Sequence, residues 1–120
     1  MELPVDLLIS EQQGPAASAV VAFPVDNLDA GNAKEFRAAI DAVVAAHATL
    51  ALDMSRLTFV DSSGLGALLS CHRAMTGKKG RLLLFGLNRP VRALFELSRM
   101  DRVFSICHSR EEALAALQAA

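Results

Sequence analysis

Short apolar segments with strand character alternate with longer segments of helical periodicity along most of the chain. Residues 49–54 and 81–85 are short, apolar and bounded by turn residues, which is typical of buried strands. Between them, apolar side chains recur at helical spacing from Leu65 to Met75. Two strands separated by a helix need a crossover connection, so we expect them to be parallel. The alternation therefore restricts the chain to an α/β fold.

The full pattern predicts the element order β-β-α-β-α-β-α-β-α in a single domain spanning residues 1–120. We expect a mixed, mostly parallel sheet of about five strands flanked by about four helices. Gly14 and Pro15 should centre a turn over residues 11–17. The strands are predicted at residues 5–10, 18–23, 49–54, 81–85 and 103–107.

The same pattern indicates where the helices begin and end. Asp29 is the predicted N-cap of a first helix that ends near His47, and the second helix should end near Thr76. Pro90 is well placed at the first position of the third helix. Ser109 should cap the last helix, with a Glu three residues later completing a capping box.

Composition argues against several classes of function. The net charge is −1 and the chain has neither Trp nor Tyr, which disfavours direct nucleic-acid binding through charge or base stacking. The N-terminal residues are acidic and no apolar run approaches membrane-spanning length, so we expect no signal peptide and no membrane insertion. The two cysteines do not resemble a disulfide framework. These features predict a cytoplasmic protein.

The segment Asp61-Ser62-Ser63-Gly64-Leu65-Gly66 lies between a predicted strand and the second predicted helix. One serine is expected at the helix N-terminus, where its hydroxyl oxygen can accept from backbone N–H groups. The same N–H groups and the helix dipole favour an added phosphate, and the glycines keep the surface low for another protein's active site. The alternative interpretation is purely structural, with a serine as N-cap and the aspartate as a turn or cap acceptor.

No enzyme or cofactor motif fits this segment. Neither serine has the Gly-x-Ser-x-Gly surroundings of a nucleophile elbow, and no Walker A sequence occurs. Leu69 stands where a dinucleotide-binding motif needs its third glycine. The Cys-His pairs at 71–72 and 107–108 are adjacent residues whose side chains diverge, which makes a metal site improbable. We therefore expect no catalytic residue, no cofactor and no metal.

Residues 52–69, which include the serine segment, closely resemble the signature of STAS domains, specifically those of bacterial anti-sigma factor antagonists. Two weaker resemblances lie at the expected distances. Residues 28–36 are similar to the start of the family's first helix, and residues 89–97 to the entry of its third. The element order also agrees, so the resemblance covers essentially the whole chain and implies a regulatory protein that is not an enzyme.

The resemblance also implies a cycle of partner switching. The unphosphorylated antagonist binds an anti-sigma factor that is also a serine kinase, which releases the sigma factor. The kinase then phosphorylates the serine after the motif aspartate, here Ser62 with Ser63 as second choice, and a PP2C-type phosphatase reverses this. The alternative is a STAS regulatory subunit of a membrane lipid-transport ATPase, or another STAS interaction module. The implied partner surface contains Asp29, Asp61, Ser62, Ser63, Gly64 and Leu65.

Overall fold

The computed structural model describes residues 7–12, 14 and 16–119. The observed element order is the predicted one, with two short extra strands and one turn of 3-10 helix. The strands are β1 (Leu8–Gln12), β2 (Ser18–Ala22), β3 (Asn27–Leu28), β4 (Thr49–Asp53), β5 (Phe59–Val60), β6 (Arg81–Phe85) and β7 (Ser105–Ile106). The helices are α1 (Ala33–Ala46), α2 (Ser62–Gly77), α3 (Arg89–Leu97) and α4 (Arg110–Gln118), and the 3-10 turn is Met100–Arg102.

Four strand pairings build one main sheet of five strands in the order β1-β2-β4-β6-β7. β1 pairs with β2 antiparallel, whereas every other pair of neighbours in this sheet is parallel. The two extra strands, β3 and β5, form a separate parallel pair. The predicted mixed, mostly parallel five-stranded sheet with four flanking helices is therefore confirmed.

Helices cover both faces of the main sheet. Alternate residues of β4 point to opposite faces, as the two-residue period of a strand requires. Leu50 and Leu52 join the larger core cluster, to which α1, α2 and α3 contribute, including Phe36 and Phe95. Ala51 joins the smaller cluster beneath α4. This arrangement places α1 and α2 side by side on one face of the sheet.

Several strand boundaries differ from the predicted ones. β1 runs to Gln12 because Glu11 and Gln12 continue the antiparallel ladder with β2. The predicted turn over residues 11–17 therefore begins two residues too early, and Pro15 and residues 5–6 lie outside the described residues. β2 and β4 each end one residue before the predicted end, and β7 covers only the middle of residues 103–107.

The first helix begins later than predicted, and Asp29 is not its N-cap. α1 starts at Ala33 with Asn32 in the N-cap position. Asp29 instead closes a turn: its carboxylate accepts from the Gly31 N–H at 2.8 Å and from the Asn27 side-chain amide at 2.7 Å. Because a short acidic side chain suits both turns and caps, the sequence pattern alone did not separate the two.

The N-termini of the last two helices largely follow the sequence. The Ser109 hydroxyl accepts from the Glu112 N–H at 3.0 Å, so the predicted cap of α4 is confirmed. In a capping box the glutamate side chain accepts from the backbone N–H of the capping serine. Here the Glu112 carboxylate accepts instead from the His108 N–H, at 3.3 Å. α3 begins at Arg89, one residue before the predicted start, with Pro90 in its first turn.

Candidate functional site

Asp61, and not a serine, is the N-cap of α2, which begins at Ser62. The Asp61 carboxylate accepts from the Gly64 N–H at 2.9 Å and from the Ala30 N–H at 3.1 Å. The Asp61 N–H donates to the Leu28 carbonyl at 3.3 Å. The expectation of a serine cap is therefore wrong, because the preceding aspartate occupies that position. Asp61 also ties the start of α2 to the loop after β3.

These hydrogen bonds lower the pKa of Asp61. The largest cause is the Gly64 N–H, which donates to the carboxylate, and it outweighs the opposing effect of desolvation. The Ala30 and Ser63 N–H groups act in the same direction. Hydrogen bonds donated to a carboxylate favour its charged form. Asp61 consequently carries a negative charge at neutral pH, directly before the two serines.

Replacing Asp61 with asparagine should remove part of the acid sensitivity of folding. Because the native pKa lies below the ordinary value of 3.8, the ionised cap stabilises the fold fully above that value. This stabilisation is lost as the pH falls through the native pKa. The difference in unfolding free energy between wild type and Asp61→Asn should be constant above about pH 5 and shrink below about pH 4. Urea denaturation across this range measures it, and a difference that persists unchanged in acid would contradict the assignment.

Ser62 and Ser63 are exposed on the first turn of α2. No side chain or backbone group among the described residues hydrogen-bonds to either hydroxyl. Asp29, Asp61 and Leu65 are half-buried around them. Both hydroxyls are therefore open to an approaching enzyme or partner without any rearrangement of the domain.

Gly64, in contrast, is buried beneath the serines. A Cβ added there would overlap the Leu28 carbonyl oxygen and lie 2.7 Å from its carbon. The glycine is thus required by the close contact between α2 and β3, and because it is buried it offers no exposed surface of its own. Gly66 is the glycine that leaves the outer surface low, since among the described residues only the Arg37 side chain lies within 4 Å of an added Cβ, at 3.6 Å.

A groove of about 420 Å³, the serine groove, opens between α1 and the start of α2. Its small residues keep it open, and its two charged residues are both cations from α1. The lining residues are Ala30, Ala33, Lys34, Arg37, Ser62, Ser63 and Gly66.

Sequence reasoning missed the two cations of the serine groove. Lys34 and Arg37 are three residues apart, a spacing that places them on one face of a helix. The sequence does not indicate which other structural element that helix face packs against. Only the packing of α1 against α2 brings Lys34 and Arg37 to the serines.

Two features of some enzyme sites, a metal-ligand cluster and a reactive thiol, are not found in the described part of the chain. It contains no group of three or more His, Cys, Asp or Glu side chains that could hold a metal ion. Cys71 and Cys107 are free and buried, and desolvation raises the pKa of both thiols, that of Cys71 to about 12. Thiols that stay protonated at neutral pH are poor nucleophiles. Among the described helices, none combines the length and apolar character needed to cross a membrane.

The sequence profile of the STAS domain matches residues 11–113. The chain belongs to the STAS domain family. The resemblance found in residues 52–69 is thereby confirmed. A STAS relative named as an anti-sigma factor antagonist, BtrV of Bordetella bronchiseptica, is 32% identical over 94 residues, which cover 78% of this chain and 81% of the relative.

Solved structures share the fold of this STAS domain. An anti-sigma factor antagonist from Mycobacterium paratuberculosis superposes with a TM-score of 0.77 at 24% identity and covers 98% of both chains. The Bacillus cell fate determinant SpoIIAA, in its phosphorylated form, superposes with a TM-score of 0.65 at 24% identity. That match covers 91% of this chain and 98% of SpoIIAA, which is also known in an unphosphorylated form. At these identities the likeness shows the fold alone.

Proposed function

We propose that this STAS domain is an anti-sigma factor antagonist whose binding is switched off by phosphorylation of Ser62. The observation that carries the proposal is the Ser62 hydroxyl, which is exposed and without a hydrogen-bond partner among the described residues. It stands directly after the capping aspartate of the family signature. The names of the relatives, including BtrV, agree with this function.

In the proposed cycle the unmodified domain binds an anti-sigma factor that is also a serine kinase, and the sigma factor is released. The Ser62 Oγ then attacks the γ-phosphorus of ATP, the bond from that phosphorus to the bridging oxygen breaks, and ADP leaves. The hydroxyl proton passes to a base of the kinase. A PP2C-type phosphatase hydrolyses the phosphoserine. This domain is a substrate in the cytoplasm and contributes no catalytic group.

Charge explains why one phosphate suffices to end the binding. Phosphorylation adds about −1.5 to −2 charge units at neutral pH. The new charge arrives beside the ionised Asp61, in a surface that presents a neutral hydroxyl before modification. A partner that closes over this surface would have to desolvate the phosphate or face it with its own carboxylates. Because Ser62 is already exposed, the switch needs no change of fold.

Phosphorylation in vitro tests the proposal. The chain is incubated with ATP and an anti-sigma factor kinase from the same organism, and the modified peptide is sequenced by mass spectrometry. We expect one phosphate on Ser62, full phosphorylation of the Ser63→Ala variant and none of the Ser62→Ala variant. Phosphorylation that survives in Ser62→Ala, or an unmodified wild type, would refute the assignment of Ser62.

A further inference from the structure

We infer that Lys34 and Arg37 receive the phosphate of phosphorylated Ser62, so that the serine groove holds the modified side chain on the domain's own surface. The inference rests on the proposed function for its phosphate and goes beyond it in naming the residues that bind that phosphate. It assigns an intramolecular phosphate-binding role to α1, whose side chains lie about thirty positions earlier in the sequence than the serine.

The register of the two helices places the cations next to the serines. α1 and α2 each connect parallel neighbours in the sheet, so they run in the same direction along one face. Arg37 lies against Gly66, with its Nη2 atom 3.6 Å from the position of an added Cβ. Lys34 is one helical turn before Arg37, and Ser62 and Ser63 are one turn before Gly66. Lys34 therefore lies beside the serines, and Arg37 lies one helical turn further toward the C-terminal ends of the two helices.

Both cations are free to bind an anion. Lys34 and Arg37 are exposed, and no described residue forms an ion pair or a hydrogen bond with either side chain. The ion-pair contacts found in the described residues use other basic side chains: His47, Arg56 and Arg110. Arginine binds phosphate oxygens through two parallel N–H donors, and lysine binds them as a point charge.

The rest of the groove has room for the phosphate but does not neutralise it. Its remaining lining residues are alanine, serine and glycine. Three described carboxylates are near the groove: Asp61, which already accepts from the Gly64 and Ala30 N–H groups, Asp29, which closes the preceding turn, and Asp41, which lines a neighbouring cavity together with Arg37. All three would repel a phosphate. The two side chains of α1 are the full positive charges that attract the modified side chain into the groove, and the N–H groups at the start of α2 act in the same direction.

Two consequences distinguish a bound phosphate from one that projects into water. Nearby cations favour the dianion over the monoanion, so the phosphate should lose its last proton at a lower pH than phosphoserine in a flexible peptide. A bound phosphate should also change the NMR chemical shift of the Arg37 guanidinium group. Neither effect is expected if the cations serve only to contact a partner.

The experiment uses the full chain with phosphoserine encoded at position 62, so that no kinase is required. Phosphorus NMR follows the phosphate through a pH titration, with a phosphopeptide of residues 58–66 as the free reference. We expect the phosphate pKa in the protein to lie below that in the peptide and the Nε–Hε signal of Arg37 to shift upon modification. The variant Lys34→Gln with Arg37→Gln should raise the phosphate pKa above the wild-type value, because it removes both cations and keeps the N–H groups at the start of α2.

Two further variants separate position from charge. Arg73→Gln with Arg92→Gln removes the same charge from exposed sites outside the groove and should leave the phosphate pKa as in wild type. Lys34→Arg with Arg37→Lys keeps both charges in place and should preserve the lowered phosphate pKa. Each comparison is made on a variant whose amide spectrum is that of the wild-type fold.

Equal phosphate pKa values in the Lys34→Gln, Arg37→Gln variant and in wild type would overturn the inference, as would a wild-type value equal to that of the peptide. These outcomes are independent of the proposed function. A protein that no anti-sigma factor kinase modifies, but whose encoded phosphoserine has a lowered pKa, would refute partner switching and keep the phosphate site. If phosphorylation of Ser62 released the kinase but the phosphate pKa were not lowered, partner switching would stand and the phosphate site would be refuted.

Discussion

Gly64→Ala is expected to lower the unfolding free energy by about 3 kcal/mol, the upper part of the usual range for overpacking. The added methyl group would overlap the Leu28 carbonyl and lie 2.7 Å from the carbonyl carbon. Leu28 cannot move aside easily, because β3 pairs with β5 and the Leu28 carbonyl accepts from the Asp61 N–H. Urea denaturation at neutral pH measures the change.

A second glycine of the same helix provides the matched control. Of the part of the chain that the structure describes, a Cβ at Gly66 would meet only the Arg37 side chain, at 3.6 Å, which is an ordinary van der Waals contact. Alanine is favoured over glycine inside a helix by about 1 kcal/mol, so Gly66→Ala should be neutral or stabilising. If the two alanine variants changed stability by similar amounts, the close contact of α2 with β3 would not be the reason for Gly64.

Phosphorylation of Ser62 is expected to weaken binding of the anti-sigma factor kinase by at least about a hundredfold, or roughly 3 kcal/mol. The phosphate adds a desolvation cost and like-charge repulsion at a surface that already contains the ionised Asp61. If α1 also binds the phosphate, the modified side chain fills the serine groove and the surface changes shape as well. Isothermal titration calorimetry with encoded phosphoserine measures both affinities.

A second phosphoserine position controls for net charge alone. Ser105 is exposed on β7, an edge strand of the main sheet, and does not line the serine groove. Because solvent and salt screen distant surface charges, phosphoserine at position 105 should change the affinity by less than about threefold. Equal weakening by the two modifications would mean that total charge, and not the Ser62 surface, governs binding.

The fold was predictable where elements are long and their apolar pattern is regular. The strand over residues 81–85 was predicted at its observed bounds, because four of its five residues are buried in the interior of the sheet. β3 and β5 were not predicted, because a strand of two residues is too short to show an alternating apolar pattern. These two strands exist because Asn27 and Leu28 pair with Phe59 and Val60, a contact between distant parts of the chain.

The candidate site was predictable only as far as its residues are neighbours in sequence. The strand-to-helix position of the serine segment followed from local patterns, and the structure confirms that position. The capping bond from the Gly64 N–H to Asp61 is local, whereas the second bond to Asp61, from the Ala30 N–H, comes from another loop and could not be read from the sequence. The burial of Gly64 against Leu28 and the presence of Lys34 and Arg37 likewise result from the packing of separate elements.

Release of sigma factor from its inhibitor tests the central claim most directly. A purified complex of sigma factor and anti-sigma factor kinase is mixed with the unmodified domain or with the domain that has phosphoserine at position 62, and free sigma factor is quantified by native mass spectrometry. We predict that the unmodified domain frees the sigma factor and that the phosphorylated domain leaves the complex intact. Equal release by the two forms would contradict a switch at Ser62.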